Sequence, residues 1–131
     1  METSREQAYR QRGPRIAVVG PCASGKTTLV ANLRREGVEA WAVGQEHSGV
    51  RQLWAKQSPD MLVALDVSLE VLRERRSLGW PATIYAAQHE RLRDAFEHAD
   101  LVLNTGDLTE EAVLAAVLAK ADAFAGGTGP N

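Results

Sequence analysis

The nine residues GPCASGKTT, at positions 20–28, constrain this chain more than any others. Gly20, four intervening residues and then Gly25-Lys26-Thr27 match the pattern G-x-x-x-x-G-K-[ST]. Each residue type has a physical reason to stand there. Glycine lets a backbone turn tightly and aim successive N–H groups at one anion. A helix that begins inside the motif adds unpaired N–H donors and its positive end. A lysine at that point reaches the β- and γ-phosphates of a nucleotide, and the threonine hydroxyl faces Mg²⁺. The pattern carries this meaning only between a buried strand and a helix. IAVVG (16–20) is the apolar run a buried parallel strand needs, and Leu29, Val30 and Leu33 follow with helical spacing. Gly20, Pro21, Cys22, Ala23, Ser24, Gly25, Lys26, Thr27 and Thr28 are the expected phosphate-binding residues, with Thr27 on the metal.

Strand and helix patterns alternate along the rest of the chain. Gly37 is a natural helix stop. VEAWAV (38–43), MLVALD (61–66) and ADLVLN (99–104) read as further strands. Val50, Leu53 and Trp54 have helical spacing ahead of a break at SPD (58–60). Ser68 can cap a helix from Leu69 to about Leu78, ended by GWP (79–81). Residues 83–98 form an amphipathic helix pattern, and Thr109 with Glu110 and Glu111 opens an Ala- and Leu-rich one to about Phe124. This alternation predicts an α/β class, a three-layer α/β/α fold with a small parallel sheet of four to five strands. The expected strand order is 2-1-3-4, with the first strand central. The 131 residues suit one domain, at 15–125, with a flexible arm at 1–14 and a flexible tail at 126–131.

A net charge of −2 gives no reason to expect nucleic acid or an anionic membrane as partner. A single cysteine excludes an internal disulfide and makes a cytoplasmic location the expectation. No apolar run approaches the roughly 18 residues of a membrane span. METSREQAYRQRGPR, at the start, lacks the apolar core of a signal peptide.

The strand, loop and helix around GPCASGKTT resemble the P-loop nucleoside-triphosphate binders. The N-K-x-D run of their GTPase branch is absent. LVALDVSLEVLRERR (62–76) is similar to the small nucleotide and metabolite kinases, where an apolar strand ends in Asp, a capped helix follows and arginines close over the phosphates. LVLNTGDLTEEAV (101–113) resembles their last strand, whose following loop borders adenine. The resemblance covers residues 15 to about 120. It implies ATP as donor, Mg²⁺ as metal and transfer of the γ-phosphate to a small acceptor. It also implies phosphate or adenine contacts for Arg73, Arg75 and Arg76. The chain departs from those kinases in lacking room for an acceptor-binding insertion or a large lid. That departure supports an alternative, a nucleotide-binding switch that hydrolyses slowly or not at all.

Two carboxylates compete for the role beside the metal. Glu46 lies in QEHSG (45–49), past the carboxyl end of the second strand, where ligands bind in parallel sheets. It is placed to hold a metal-bound water or take a proton from an attacking hydroxyl, with His47 and Ser48 as acceptor contacts. Asp66 ends an apolar strand in the form usual for the Mg²⁺-side acid. Both stay open, as does the bland alternative for the arginines, a solvated helix face paired with Glu70 and Glu74. Cys22 is expected to be a small residue packed under the loop. Three scattered histidines and one cysteine show no metal-ligand spacing. Trp41, Trp54 and Trp80 read as core or groove residues, with stacking on an acceptor ring as the alternative for Trp54, and Arg91 and Arg93 as surface. Monomer and homodimer are equally compatible with the sequence.

Overall fold

A strand covered on both faces needs apolar residues throughout, and β1 (Ile16–Val19) is buried at every position in the computed structural model, which describes residues 13–126. β1 pairs with β2 (Ala40–Ala42) and β3 (Met61–Asp66), and β3 pairs with β4 (Leu101–Asn104), all parallel. The order is β2-β1-β3-β4, the order expected. The helices are α1 (Lys26–Arg35), α2 (Leu69–Arg75), α3 (Ala82–His98) and α4 (Glu110–Gly126). The arm and tail expected at the two ends lie almost wholly outside the described residues.

Side-chain alternation along the strands divides the core in two. Ile16, Val18, Met61, Val63 and Leu65 meet Leu29, Val30 and Leu33 of α1 and Val113 and Val117 of α4. Ala17, Val19, Leu62 and Ala64 point the other way, against Leu92 and Ala95 of α3. Trp41, Trp54 and Phe96 pack at the margin of this second face. Helices on both faces make three layers.

Caps follow the sequence signals. Ser68 Oγ accepts from Val71 N at 3.2 Å, and Thr109 Oγ1 accepts from Ala112 N at 3.0 Å. Gly37 closes α1 with φ at +82°. Two helical expectations are not met. Residues 50–57 give only one 3-10 turn, Leu53–Ala55, with Val50 exposed. The Gln45 side chain captures the backbone there, donating to Val50 O at 2.7 Å and accepting from Trp54 N at 3.0 Å. α2 ends at Arg75 rather than near Leu78, because Leu78 is 83% exposed and has no core to join. Ser77 instead starts a turn, its carbonyl accepting from Trp80 N at 3.0 Å.

Candidate functional site

Four parallel strands end at one edge. That edge carries the loop at 20–25, the 3-10 turn Gln45–His47, Asp66 and Thr105. The loop is tight. A Cβ on Gly20 would lie 2.5 Å from Ser24 Oγ and 2.6 Å from Leu65 O, so only glycine fits. Gly25 stands at φ +99°, a left-handed conformation that starts α1. Ser24 Oγ is buried without a partner.

Lys26 turns back over this loop. Its Nζ donates to Gly20 O at 2.7 Å and Pro21 O at 3.1 Å, and lies 2.9 Å from Glu46 Oε2. Glu46 is 4% exposed, and its Oε1 has no hydrogen-bond partner. A buried carboxylate is tolerated because the lysine compensates it. The two meet in a 340 Å³ cleft that Thr27, Thr28, His47 and Arg76 also line. Beside it, a cleft of 170 Å³ runs between α1 and the start of α4, lined by Thr28, Asn32, Arg75, Leu108 and Glu110.

The loop is held from three sides. Arg75 donates from Nη1 to Ala23 O at 2.7 Å and from Nη2 to Thr105 O at 2.8 Å. Thr105 Oγ1 donates to Ser24 O at 2.7 Å. Gln88 of α3, 2% exposed, accepts from Cys22 N at 3.0 Å and donates to Cys22 Sγ at 3.2 Å. Arg91 donates to Glu46 O at 3.2 Å, which fixes the turn carrying the carboxylate.

The three arginines of α2 therefore diverge. Arg76 lines the cleft with Lys26, Arg75 grips the loop backbone, and Arg73 donates to Trp80 O at 3.0 Å, holding the link to α3. The two candidate acids diverge as well. Glu46 is paired with Lys26, whereas Asp66 Oδ1 accepts from Val67 N at 2.8 Å and lies 2.9 Å from His89 Nε2. Asp66 lines a different cleft, of 560 Å³, with His89 and Phe96. Tyr85 packs against His89 at a tilt of 39° with ring centroids 4.2 Å apart, and burial, then the charge of Asp66, holds its phenol above the usual value. Ser48 faces a 470 Å³ cleft with Arg51, Arg91 and Arg93.

Gln88 is given no role by the sequence, Arg91 is read there only as surface, and Thr105 only as part of LVLNTGDLTEEAV (101–113). Nor does it single out Asp94, a buried anchor for the region beside the site. Its carboxylate accepts from Trp54 Nε1 at 2.9 Å and Arg51 Nε at 3.1 Å. Burial pushes this carboxyl up, but the hydrogen bonds from Trp54 and Gln52 and the nearby charges of His98 and Arg51 outweigh it. The group titrates below the ordinary carboxylate range.

No family model matches the chain, and no curated protein sequence matches it. Among solved structures, the YorR protein of Bacillus subtilis, in complex with phosphorylated GDP, is similar with a TM-score of 0.59. Identity is 13%, over 82% of this chain and 96% of that one. The likeness is one of fold, and this chain has the three-layer α/β/α architecture of that nucleotide-bound protein.

Proposed function

We propose that this protein is a purine nucleoside-triphosphate-dependent phosphotransferase acting on a small acceptor. The reading rests on Glu46, a buried carboxylate with one oxygen free, 2.9 Å from the lysine that would bind the terminal phosphates. The residues present fit a triphosphate. The orphaned Ser24 Oγ, the glycine-only approach at Gly20 and the free N–H end of α1 form an anion cradle. They fit Mg²⁺ also, since Thr27 offers a hydroxyl in the same cleft and Glu46 an unpartnered oxygen. When bound, Mg²⁺ supplies neutralising charge on the phosphoryl oxygens.

The chain's own residues do the rest by positioning and charge. Lys26 leaves the carbonyls of Gly20 and Pro21 for the phosphates. Glu46, released from Lys26, takes the proton of the attacking hydroxyl. Arg76 covers the charge on the transferred group, and Arg75 keeps the loop in shape. The base lies in the cleft between Asn32, Arg75 and Leu108, and the acceptor in the one beside Ser48 and His47. We favour ATP as donor. The GDP derivative held by the YorR protein makes GTP the competitor to test beside it.

The six residues that link α2 to α3, 76–81, leave no space for a large lid, and this favours a second reading. In it, nucleotide draws Lys26 from Glu46 and the protein works as a switch without an acceptor. One assay separates the two. γ-labelled ATP or GTP is incubated with Mg²⁺ and a metabolite extract. Transfer predicts a labelled product with the wild type, falling about 10²–10⁴-fold in Glu46→Gln while nucleotide still binds. Label that stays on the nucleotide, or reaches only free phosphate, excludes the transferase and leaves the switch.

A further inference from the structure

Cys22 in the phosphate loop and Glu46-His47 on the next strand's rim are remote in sequence but meet in the fold. One ligand atom from each of the three residues lies within 4.8 Å of the others. Cys22 Sγ is 3.9 Å from His47 Nε2, which is 3.6 Å from Glu46 Oε2. We propose that Cys22, Glu46 and His47 form a binding site for a zinc-class divalent cation at the mouth of the phosphate loop.

The donor set names the metal. A thiolate, an imidazole and a carboxylate suit Zn²⁺, whereas Mg²⁺ takes oxygen ligands alone. Tetrahedral zinc with ordinary bond lengths puts sulfur and nitrogen about 3.6 Å apart, and nitrogen and oxygen about 3.4 Å apart. The Cys22–His47 and His47–Glu46 separations need only slight contraction, and the Cys22–Glu46 pair lies within 4.8 Å. The Glu46 oxygen 3.6 Å from His47 is Oε2, which an ion would share with Lys26 at 2.9 Å, and Oε1 of the same buried carboxylate has no hydrogen-bond partner. The His47 side chain is 63% exposed, and all three residues line one open cleft, so an ion can enter. Gln88 holds Cys22 from behind through N–H and sulfur contacts, the outer support typical of a metal ligand. Binding forms the metal–sulfur bond as the thiol proton leaves to solvent. Three protein ligands leave the fourth position to water.

Cobalt(II), a spectroscopic stand-in for zinc, tests this on the full untagged chain without nucleotide. The chain has one cysteine, so a thiolate-to-cobalt charge-transfer band reports Cys22 alone. One Co²⁺ per chain with that band is expected, displaced by one Zn²⁺ and not by excess Mg²⁺. Cys22→Ser abolishes the band. His47→Ala, at an exposed position that does not threaten folding, weakens binding by more than about tenfold, and Gln88→Ala by about tenfold. No band, or affinity unchanged in His47→Ala and Glu46→Gln, overturns the site. Metal binding is read without nucleotide, so failure here leaves the phosphotransferase reading untouched, and the reverse holds too.

Discussion

Lys26 and Glu46 are each poorly exposed and each other's compensation, at 2.9 Å. Removing one leaves an uncompensated charge, at a cost of about 3–5 kcal/mol. Lys26→Ala should therefore lose stability as well as nucleotide. Chemical denaturation checks this, and the pair Lys26→Met with Glu46→Gln should recover most of the loss, since neither charge then remains. Asp94 makes a second prediction. Its folded pKa is depressed, so its contribution is present above the ordinary carboxylate range and is lost as pH falls through the folded value. The wild type should lose stability on acidification below about pH 4, and Asp94→Asn should show a shallower acid dependence in the same titration. Lys26 is recognisable in the sequence because its motif is local. Asp94 is not, because its partners Gln52, Trp54 and Arg51 sit about forty positions away.

α2 shows how far an element can be read before it is seen. Its start is announced by Ser68, and Ser68→Ala should lower stability by about 1 kcal/mol in a denaturation titration. Its end is announced at GWP (79–81) but comes at Arg75, since only the tertiary core leaves Leu78 exposed. The same limit applies to residues 50–57, where Gln45 unwinds an apolar pattern that suits a helix. The loop at 20–25 relies on contacts from β4's end as well. Thr105→Val removes the donor to Ser24 O and should lower stability by about 1–3 kcal/mol in a denaturation titration, and weaken binding of ATP or GTP by up to about tenfold, read by calorimetry.

For the molecule as a whole, the sheet order β2-β1-β3-β4 brings the ends of β1 and β2 side by side, and with them Lys26 and Glu46. Nucleotide bound across that edge should stabilise the fold by linkage. At a hundred times Kd the gain is about 2.7 kcal/mol, visible as a rise in Tm with Mg²⁺ and ATP or GTP, absent for a chain without nucleotide affinity. No helix among the described residues is long and apolar enough to cross a membrane.

The class and the placing of strands and helices follow from local signals, namely apolar runs at strand length, helical spacing and capping residues, and the residues proposed to hold phosphate are a run of consecutive positions. Such signals are short-range, so a linear reading recovers them. The choice between Glu46 and Asp66 at the lysine, the divergence of Arg73, Arg75 and Arg76, and the meeting of Cys22 with His47 do not follow from them. Each depends on where a side chain points once strands remote in sequence lie about 4.8 Å apart, and that direction is set by packing of the whole domain.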